Sequence, residues 1–168
     1  MDRNADDARD ASGDAREDQA WRAGSSDVRL GDLGCNVAFH LRLAQDASFK
    51  AFKRHTGEGD LRPGWYAVMS IINSNPGITP MALSRASGRD KSTITPILRE
   101  LTKHGLIAQG PVPNDRRSYA LTLTPSGEER LARLTAHAEA HDKHLDEIVG
   151  PRKAELIELL RRITGMLD

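Results

Sequence analysis

Apolar residues recur at helical spacing through most of the chain, and interruptions of this period predict where the helices begin and end. The apolar positions from Leu33 to Ala51 predict a first helix over about 32–55. A second helix is predicted from Pro63, since proline suits a first helical turn, to the Asn-Pro-Gly break at 75–77.

Two further helices carry clear start and stop signals. Thr79 and Pro80 are a hydroxyl cap followed by a first-turn proline, and they predict a short helix over 80–86. The next helix is predicted over about 90–104, because Gly105 suits the position after a helix end. Its predicted inward-facing residues are Ile94, Ile97, Leu98 and Leu101.

A β-hairpin follows these helices. One strand begins over 106–108, residues 111–118 are predicted to turn, and apolar and polar residues alternate over 119–124 as in a second strand. A short helix, a turn, a second helix and a hairpin stand in the order of a winged helix-turn-helix, whose second helix lies in a DNA major groove. The sequence therefore predicts a mainly α fold with a small β-hairpin wing.

The last part of the chain is predicted to form two helices with apolar stripes. Thr124 and Pro125 begin the long one, Gly150 and Pro151 interrupt it, and a final helix follows. The stripes comprise Leu131, Leu134, Ala138, Leu145 and Ile148, and then Leu156, Leu159, Leu160, Ile163 and Leu167. Four leucines have no evident partner in so short a chain, and a second copy is expected to cover them: Leu131, Leu134, Leu156 and Leu160.

Two adjoining segments carry a family resemblance. The first segment, over 61–110, is LRPGWYAVMSIINSNPGITPMALSRASGRDKSTITPILRELTKHGLIAQG, and the second, over 114–127, is NDRRSYALTLTPSG. In the second segment Asp115 and Arg117 lead into Leu123, Thr124 and Gly127. These segments resemble the helix-turn-helix core and the wing of the MarR family of bacterial transcription regulators. The resemblance extends over about 28–168.

The resemblance implies a homodimer whose two recognition helices enter successive major grooves of an inverted-repeat operator. It also implies how the chain is divided. We expect a disordered acidic tail (1–27), an N-terminal dimerisation helix (28–60), a winged helix-turn-helix DNA-binding domain (61–124) and C-terminal dimerisation helices (125–168).

Charge is balanced over the chain but unevenly placed. There are 24 basic and 24 acidic residues, and the segment 1–27 holds eight of the acidic and four of the basic ones. Over 85–117, seven basic residues outnumber three acidic ones. Such a concentration suits a polyanion, whereas 1–27 lacks the large apolar residues that a folded segment needs.

The candidate DNA contacts lie on the helix over 90–104 and on the hairpin. Hydroxyls and backbone N–H groups at the helix start suit phosphates, and a side chain or two can reach base edges. Asp115 is predicted to hold Arg117 for the minor groove by a charge-assisted hydrogen bond, and Arg116 is predicted to take a phosphate. The candidates are Arg89, Lys91, Ser92, Thr93, Thr95, Pro96, Arg99, Asp115, Arg116 and Arg117.

Each of these assignments has a structural alternative. Ser92 or Thr93 could be an ordinary helix cap, and the hairpin arginines could be solvated turn residues. Pro96 would cost a helix that begins at Asp90 one backbone bond and about 3 kcal/mol. A start nearer Thr93 would make that proline harmless.

The resemblance further implies a small-molecule pocket between the dimerisation helices and the DNA-binding domain. Aromatic walls with a histidine and an arginine suit a flat ligand that carries an anion. The candidate residues are Phe39, His40, Arg42, Trp65, Tyr66 and Met69, of which Tyr66 and Met69 could instead be core. A basic surface suits the nucleotide end of an acyl-CoA: Lys50, Lys53, Arg54 and His55. The expected effector is an aromatic carboxylate or its CoA thioester.

Two other sensing mechanisms compete with this hypothesis. Cys35 resembles the first-helix cysteine of peroxide-sensing members of the family, although alignment puts Ala38 nearer the reactive position. His137, His141 and His144 could supply a metal site only with further ligands, because a helix face holds adjacent pairs of them and not all three.

An enzyme is the hypothesis from a different class. The chain has no phosphate-binding glycine loop, no G-x-S-x-G and no H-E-x-x-H, so catalysis is not predicted, and neither is a cofactor or a bound metal. One cysteine, no membrane-spanning apolar run and no signal-peptide segment lead us to expect a cytoplasmic protein without a membrane partner.

Overall fold

Helices account for most of the structure, which is a computed structural model that describes residues 30–56, 63–112 and 115–167. Within these residues the elements are, in order, a 3-10 helix Gly31–Cys35, α1 Val37–Thr56, α2 Pro63–Ser74, α3 Pro80–Ala86, α4 Lys91–Lys103, β1 Ile107–Val112, β2 Asp115–Leu123, α5 Pro125–Val149, a 3-10 helix Gly150–Arg152 and α6 Lys153–Leu167. The predicted tail over 1–27, residues 57–62 between α1 and α2, and the turn residues 113–114 lie outside them. None of the described helices is long and apolar enough to cross a membrane.

The first helix begins later than predicted. The 3-10 helix ends at Cys35, and Asn36 has extended backbone angles before α1 starts at Val37. The Asn36 side chain accepts a hydrogen bond from the backbone N–H of Phe39 at 2.8 Å and so caps α1. Leu33 matches the helical spacing but belongs to a separate element, which is why the prediction of a helix from residue 32 was wrong.

The chain divides into two compact units, 1–46 and 47–168, with the boundary inside α1. The second unit contains a continuous apolar core to which α2, α3, α4, the hairpin and α5 contribute. Its fully buried side chains include Val68, Met69, Ile72, Leu83, Ile94, Leu101, Leu121 and Leu134. The inward positions predicted for α4 are confirmed, with Ile94, Leu98 and Leu101 buried and Ile97 half-buried.

The hairpin is longer than predicted. β2 begins at Asp115, so that most of the predicted turn over 111–118 is strand, with an irregularity in register between Pro111 and Val112. The Leu121 N–H donates to the Ile78 carbonyl, and the Leu121 carbonyl accepts from the Gly77 N–H. Because both backbone groups therefore point away from β1, Leu121 occupies a non-hydrogen-bonded position relative to that strand. Such positions recur at every second residue, and Pro111, paired with Tyr119, occupies one. The proline therefore removes no ladder bond, and the strand continues past it.

Two of the four leucines assigned to a dimer contact are core residues instead. Leu131 is 7% exposed and Leu134 is fully buried, because the first half of α5 packs on α2 and β2. The prediction that these two lack an intrachain partner was therefore wrong. Leu156 and Leu160 of α6 remain exposed, at 40% and 37%, and no residue of α6 is buried.

The start of α5 is packed against the chain that links α4 to β1. Thr124 caps α5 by accepting a hydrogen bond from the Gly127 N–H at 3.1 Å, and its hydroxyl donates to the Gly105 carbonyl at 2.6 Å. Gly127 is buried directly against the Leu106 carbonyl, where a Cβ atom would collide with that oxygen. Close approach, and not a positive φ, therefore explains the glycine of the Leu-Thr-x-x-Gly motif.

Replacement of Gly127 by alanine is expected to destabilise the protein by about 1–3 kcal/mol, because backbone must shift to admit the methyl group. Chemical unfolding followed by circular dichroism measures this change. Gly110→Ala is the matched control, since nothing lies within 4 Å of a Cβ at that position. Equal unfolding free energies for the two variants would contradict the proposed packing.

Candidate nucleic-acid interface

A tight turn joins α3 to α4. Gly88 has a φ of 60°, which a residue without Cβ adopts readily. The Arg89 N–H donates to the Ser84 carbonyl at 3.1 Å, and the Ser84 hydroxyl donates to the Arg89 carbonyl. This reciprocal pair fixes the angle at which α4 leaves α3.

The side chain of Asp90 caps the N-terminus of α4. Its carboxylate accepts hydrogen bonds from the Ser92 hydroxyl and, at 2.8 Å, from the Thr93 backbone N–H. These bonds, that from the Ser92 side chain foremost, lower the pKa of the Asp90 carboxyl below its ordinary value. The alternative that Ser92 or Thr93 is the cap was therefore wrong, because the residue before the helix already fills that role.

The outer face of α4 brings together most of the predicted DNA contacts. Six of them are exposed on this helix, opposite the buried Ile94, Leu98 and Leu101: Lys91, Ser92, Thr93, Thr95, Pro96 and Arg99. Arg89 is set apart, because its half-buried guanidinium group lies beside Gly64 in the first turn of α2.

Pro96 lies inside α4 and not near its start. The helix begins at Lys91, so the suggested start nearer Thr93 was wrong. A proline at this position leaves the Ser92 carbonyl without the usual N–H partner four residues on. The neighbouring Lys91 carbonyl accepts a hydrogen bond from the Thr95 hydroxyl at 2.7 Å, which supports the helix next to the missing bond.

An open cleft of about 420 Å³ separates α4 from the base of the hairpin. Its described lining residues are Thr95, Leu98, Arg99, Thr102, Lys103, Gln109 and Tyr119. The Gln109 amide donates to the Thr102 hydroxyl at 3.3 Å and so links β1 to α4 across the cleft. Four of these residues were missed by the sequence analysis: Thr102, Lys103, Gln109 and Tyr119.

Helical spacing could have identified part of this cleft. Arg99 lies four residues after Thr95, and Thr102 and Lys103 lie three and four residues after Arg99, so these residues share a face of α4. The hairpin residues could not be found in this way, because their position depends on the register of β1 and β2.

At the other end of the hairpin, β2 includes the backbone of residues 115–117, but the side chains of Asp115, Arg116 and Arg117 lie outside the described part.

The effector candidates on α1 interact among themselves. The Arg42 guanidinium group bonds the Asp46 carboxylate at 3.0 Å and lies 5.4 Å from the centre of the Phe39 ring. The His40 ring nitrogen Nε2 is 2.7 Å from the Gly34 carbonyl oxygen, which ties the 3-10 helix to α1.

The candidates on α2 differ in exposure. Trp65 and Met69 are buried in the core of the second unit, at 4% and 0% exposure. Tyr66 is half-buried, and its ring centre lies 6.4 Å from that of Phe52. The core alternative therefore holds for Met69, whereas Tyr66 retains accessible surface.

The residues of the metal and redox alternatives are dispersed. The described residues contain no group of three metal-ligating side chains. His141 places Nε2 2.9 Å from the Ser48 hydroxyl and its ring against Phe52, which gives it a packing role between α1 and α5. Cys35 is exposed in the first 3-10 helix.

Comparison with known proteins gives consistent matches. A model described as MarR family matches residues 60–118. A protein of Thauera aromatica, described as a proposed regulator of transcription for the hcr operon, is 35% identical over 136 residues, which cover 79% of this chain and 81% of that protein.

Two solved proteins share the fold. The transcriptional repressor CouR bound to a 23-mer DNA duplex aligns with a TM-score of 0.74 and 28% identity over 83% of this chain and 99% of CouR. CouR bound to p-coumaroyl-CoA aligns with a TM-score of 0.72 and 24% identity over 82% and 97%. PcaV of Streptomyces coelicolor, in complex with its natural ligand, aligns with a TM-score of 0.75 and 22% identity over 86% and 100%.

The Asp90 cap leads to a prediction about pH. Because folding lowers the pKa of this carboxyl, its stabilisation is present above the unfolded value near 3.8 and is lost as the pH falls through the lower folded value. Asp90→Ala is expected to lower the thermal midpoint at pH 7, and this difference from wild type is expected to shrink below pH 3.8. Asp90→Asn is the control, since its amide oxygen can cap without titrating. A difference that persisted unchanged at pH 2 would contradict the assignment.

Proposed function

Because the chain belongs to the MarR family of transcriptional regulators, we propose that it is a dimeric repressor that leaves its operator when a small molecule binds. Membership makes it a transcriptional regulator and not an enzyme. The observation that carries the proposal is the outer face of α4, where cations and hydroxyls are exposed beside a hairpin. Repression, dimerisation and ligand release are the parts that we propose.

The proposed DNA contacts combine the start of α4 with the hairpin. Lys91, Ser92 and Thr93 lie in the first turn, where the backbone N–H groups of Lys91 and Ser92 precede the first helical hydrogen bond and suit phosphates. Thr95 follows on the same side and is the residue that we assign to base edges in the major groove, and we assign Arg99, one turn further along, to the DNA backbone. At the wing, we assign Arg117, held by Asp115, to the minor groove and Arg116 to a phosphate.

The proposed dimer rests on the apolar surface of α6. Leu156, Ile157, Leu159 and Leu160 are each at least 36% exposed, and the more distal Met166 and Leu167 about 80%. A helix with so much exposed apolar surface is a typical association surface. Two copies joined in this way would present two α4 helices to an inverted-repeat operator, whose half-sites lie about one helical turn apart.

The proposed effector is an aromatic carboxylate or its CoA thioester. Phe39 and Tyr66 supply aromatic surface, and Arg42 supplies a cation that an anionic ligand would take over from Asp46. Lys50, Lys53 and Arg54 are exposed on α1 and suit the phosphates of a CoA moiety. The structure of CouR with p-coumaroyl-CoA supports this choice, because CouR binds an aromatic acyl-CoA on the same fold.

DNA binding is tested by selecting an operator from a random duplex pool and measuring its affinity by fluorescence anisotropy. Arg117→Ala is expected to weaken operator binding by about 1–3 kcal/mol, since a minor-groove contact is lost. Arg133→Ala on the exposed surface of α5 removes the same charge and is expected to leave the affinity unchanged. A nuclease footprint is expected to cover two half-sites, and protection of one isolated half-site would refute the dimer.

Effector binding is tested by calorimetry with p-coumarate and p-coumaroyl-CoA, in the presence and absence of operator. A ligand can release DNA only if it binds the free form more tightly than the DNA-bound form. We therefore expect its affinity to fall when operator is present, and operator affinity to fall by the same factor when ligand is present. If neither compound binds, or if binding leaves operator affinity unchanged, this effector assignment is wrong.

A further inference from the structure

The cleft between α4 and the base of the hairpin lies where a DNA strand passes if the proposed DNA binding is correct. A recognition helix occupies the major groove and a wing occupies the adjacent minor groove, and one sugar–phosphate strand separates these grooves. That strand must run between the helix and the wing. We propose that Arg99, Lys103, Gln109 and Tyr119 form a clamp that holds a phosphate of this strand.

The charge of the cleft suits a phosphodiester. Arg99 and Lys103 stand four residues apart on the exposed face of α4, and both line the cleft. None of its described lining residues is acidic. The nearby Glu100 lies 4.0 Å from the ring of His104, which does not line the cleft.

Hydrogen bonds hold the polar side of the cleft in place. The Thr102 hydroxyl donates to the Leu98 carbonyl at 2.8 Å and accepts from the Gln109 amide at 3.3 Å. The Gln109 amide group is thus oriented from α4, and its second N–H can be donated to a phosphate oxygen. Tyr119 packs against the core as a partly buried residue, so its position is set by the fold.

The position along α4 favours phosphate recognition over base recognition. Residues at the start of a recognition helix reach base edges, whereas Lys103 is the last residue of α4. Lysine, glutamine and tyrosine side chains are all common donors to DNA phosphates. Contacts of this kind fix the register of a protein on DNA but carry no sequence information. The clamp therefore holds the recognition helix in the groove and does not select the operator.

Three variants test the clamp on the full chain: Lys103→Ala, Gln109→Leu and Tyr119→Phe. Affinities are measured over a range of salt concentrations for the selected operator and for a duplex of mixed sequence. Lys103→Ala is expected to weaken both complexes by the same factor and to reduce the slope of log affinity against log salt by about 0.9 for each α4 that contacts DNA. Gln109→Leu and Tyr119→Phe are expected to weaken both complexes without changing that slope, because they remove neutral donors.

Lys143→Ala on the exposed surface of α5 is the matched control for charge, and thermal midpoints verify that each variant folds. Ethylation interference is expected to show one phosphate fewer in each half-site for Lys103→Ala. The clamp is overturned, with the proposed function intact, if wild type binds DNA and the three variants behave like Lys143→Ala. A loss confined to the operator also overturns it, since that result indicates a base contact. Failure of the wild type to bind any duplex would instead refute the proposed function, on which the clamp rests.

Discussion

The close approach of α5 to the Leu106 backbone is the constraint on which the proposed DNA-binding surface depends. The Leu106 N–H donates to the Leu101 carbonyl at the end of α4, and its carbonyl accepts from the Thr124 N–H at the end of β2. Gly127 covers the same carbonyl from α5. One residue thus joins α4, both ends of the hairpin and α5. Because these bonds tie both ends of the hairpin to the end of α4, the hairpin cannot rotate about α4 without breaking them.

Local signals predicted the elements whose ends are set by their own side chains. The caps at Thr79 and Thr124 and the glycine after α4 are examples, since each satisfies backbone groups within a few residues of itself. The start of α1 was misplaced because Asn36 is a cap inside an apolar period that continues across it. Here a local signal was present, but the longer-range periodicity concealed it.

Features that depend on distant parts of the chain could not be predicted in this way. Leu131 and Leu156 lie on similar apolar stripes, but α2 and β2 cover only the first of them. That residues 115–118 form a strand depends on the register of the hairpin, in which Leu121 directs its backbone groups to Ile78 and Gly77 and not to β1. The exposed residues of α4 were predictable from periodicity, whereas the hairpin side of the cleft required the register of the sheet.

The first turn of α2 is packed against α4, the helix that we propose to enter the major groove. The Trp65 ring lies 5.4 Å from that of His104 at the end of α4, and Gly64 lies against Ile97 and the Arg89 guanidinium group. The first turn of α2 therefore touches α4 near its end, at its middle and just before its start. Packed contacts of this kind move together, because a well-packed interior has no free volume to absorb a displacement. A ligand that shifted the start of α2 would consequently shift α4 as a body, and a misplacement of about 1 Å is enough to lose hydrogen bonds whose lengths tolerate only a few tenths of an ångström.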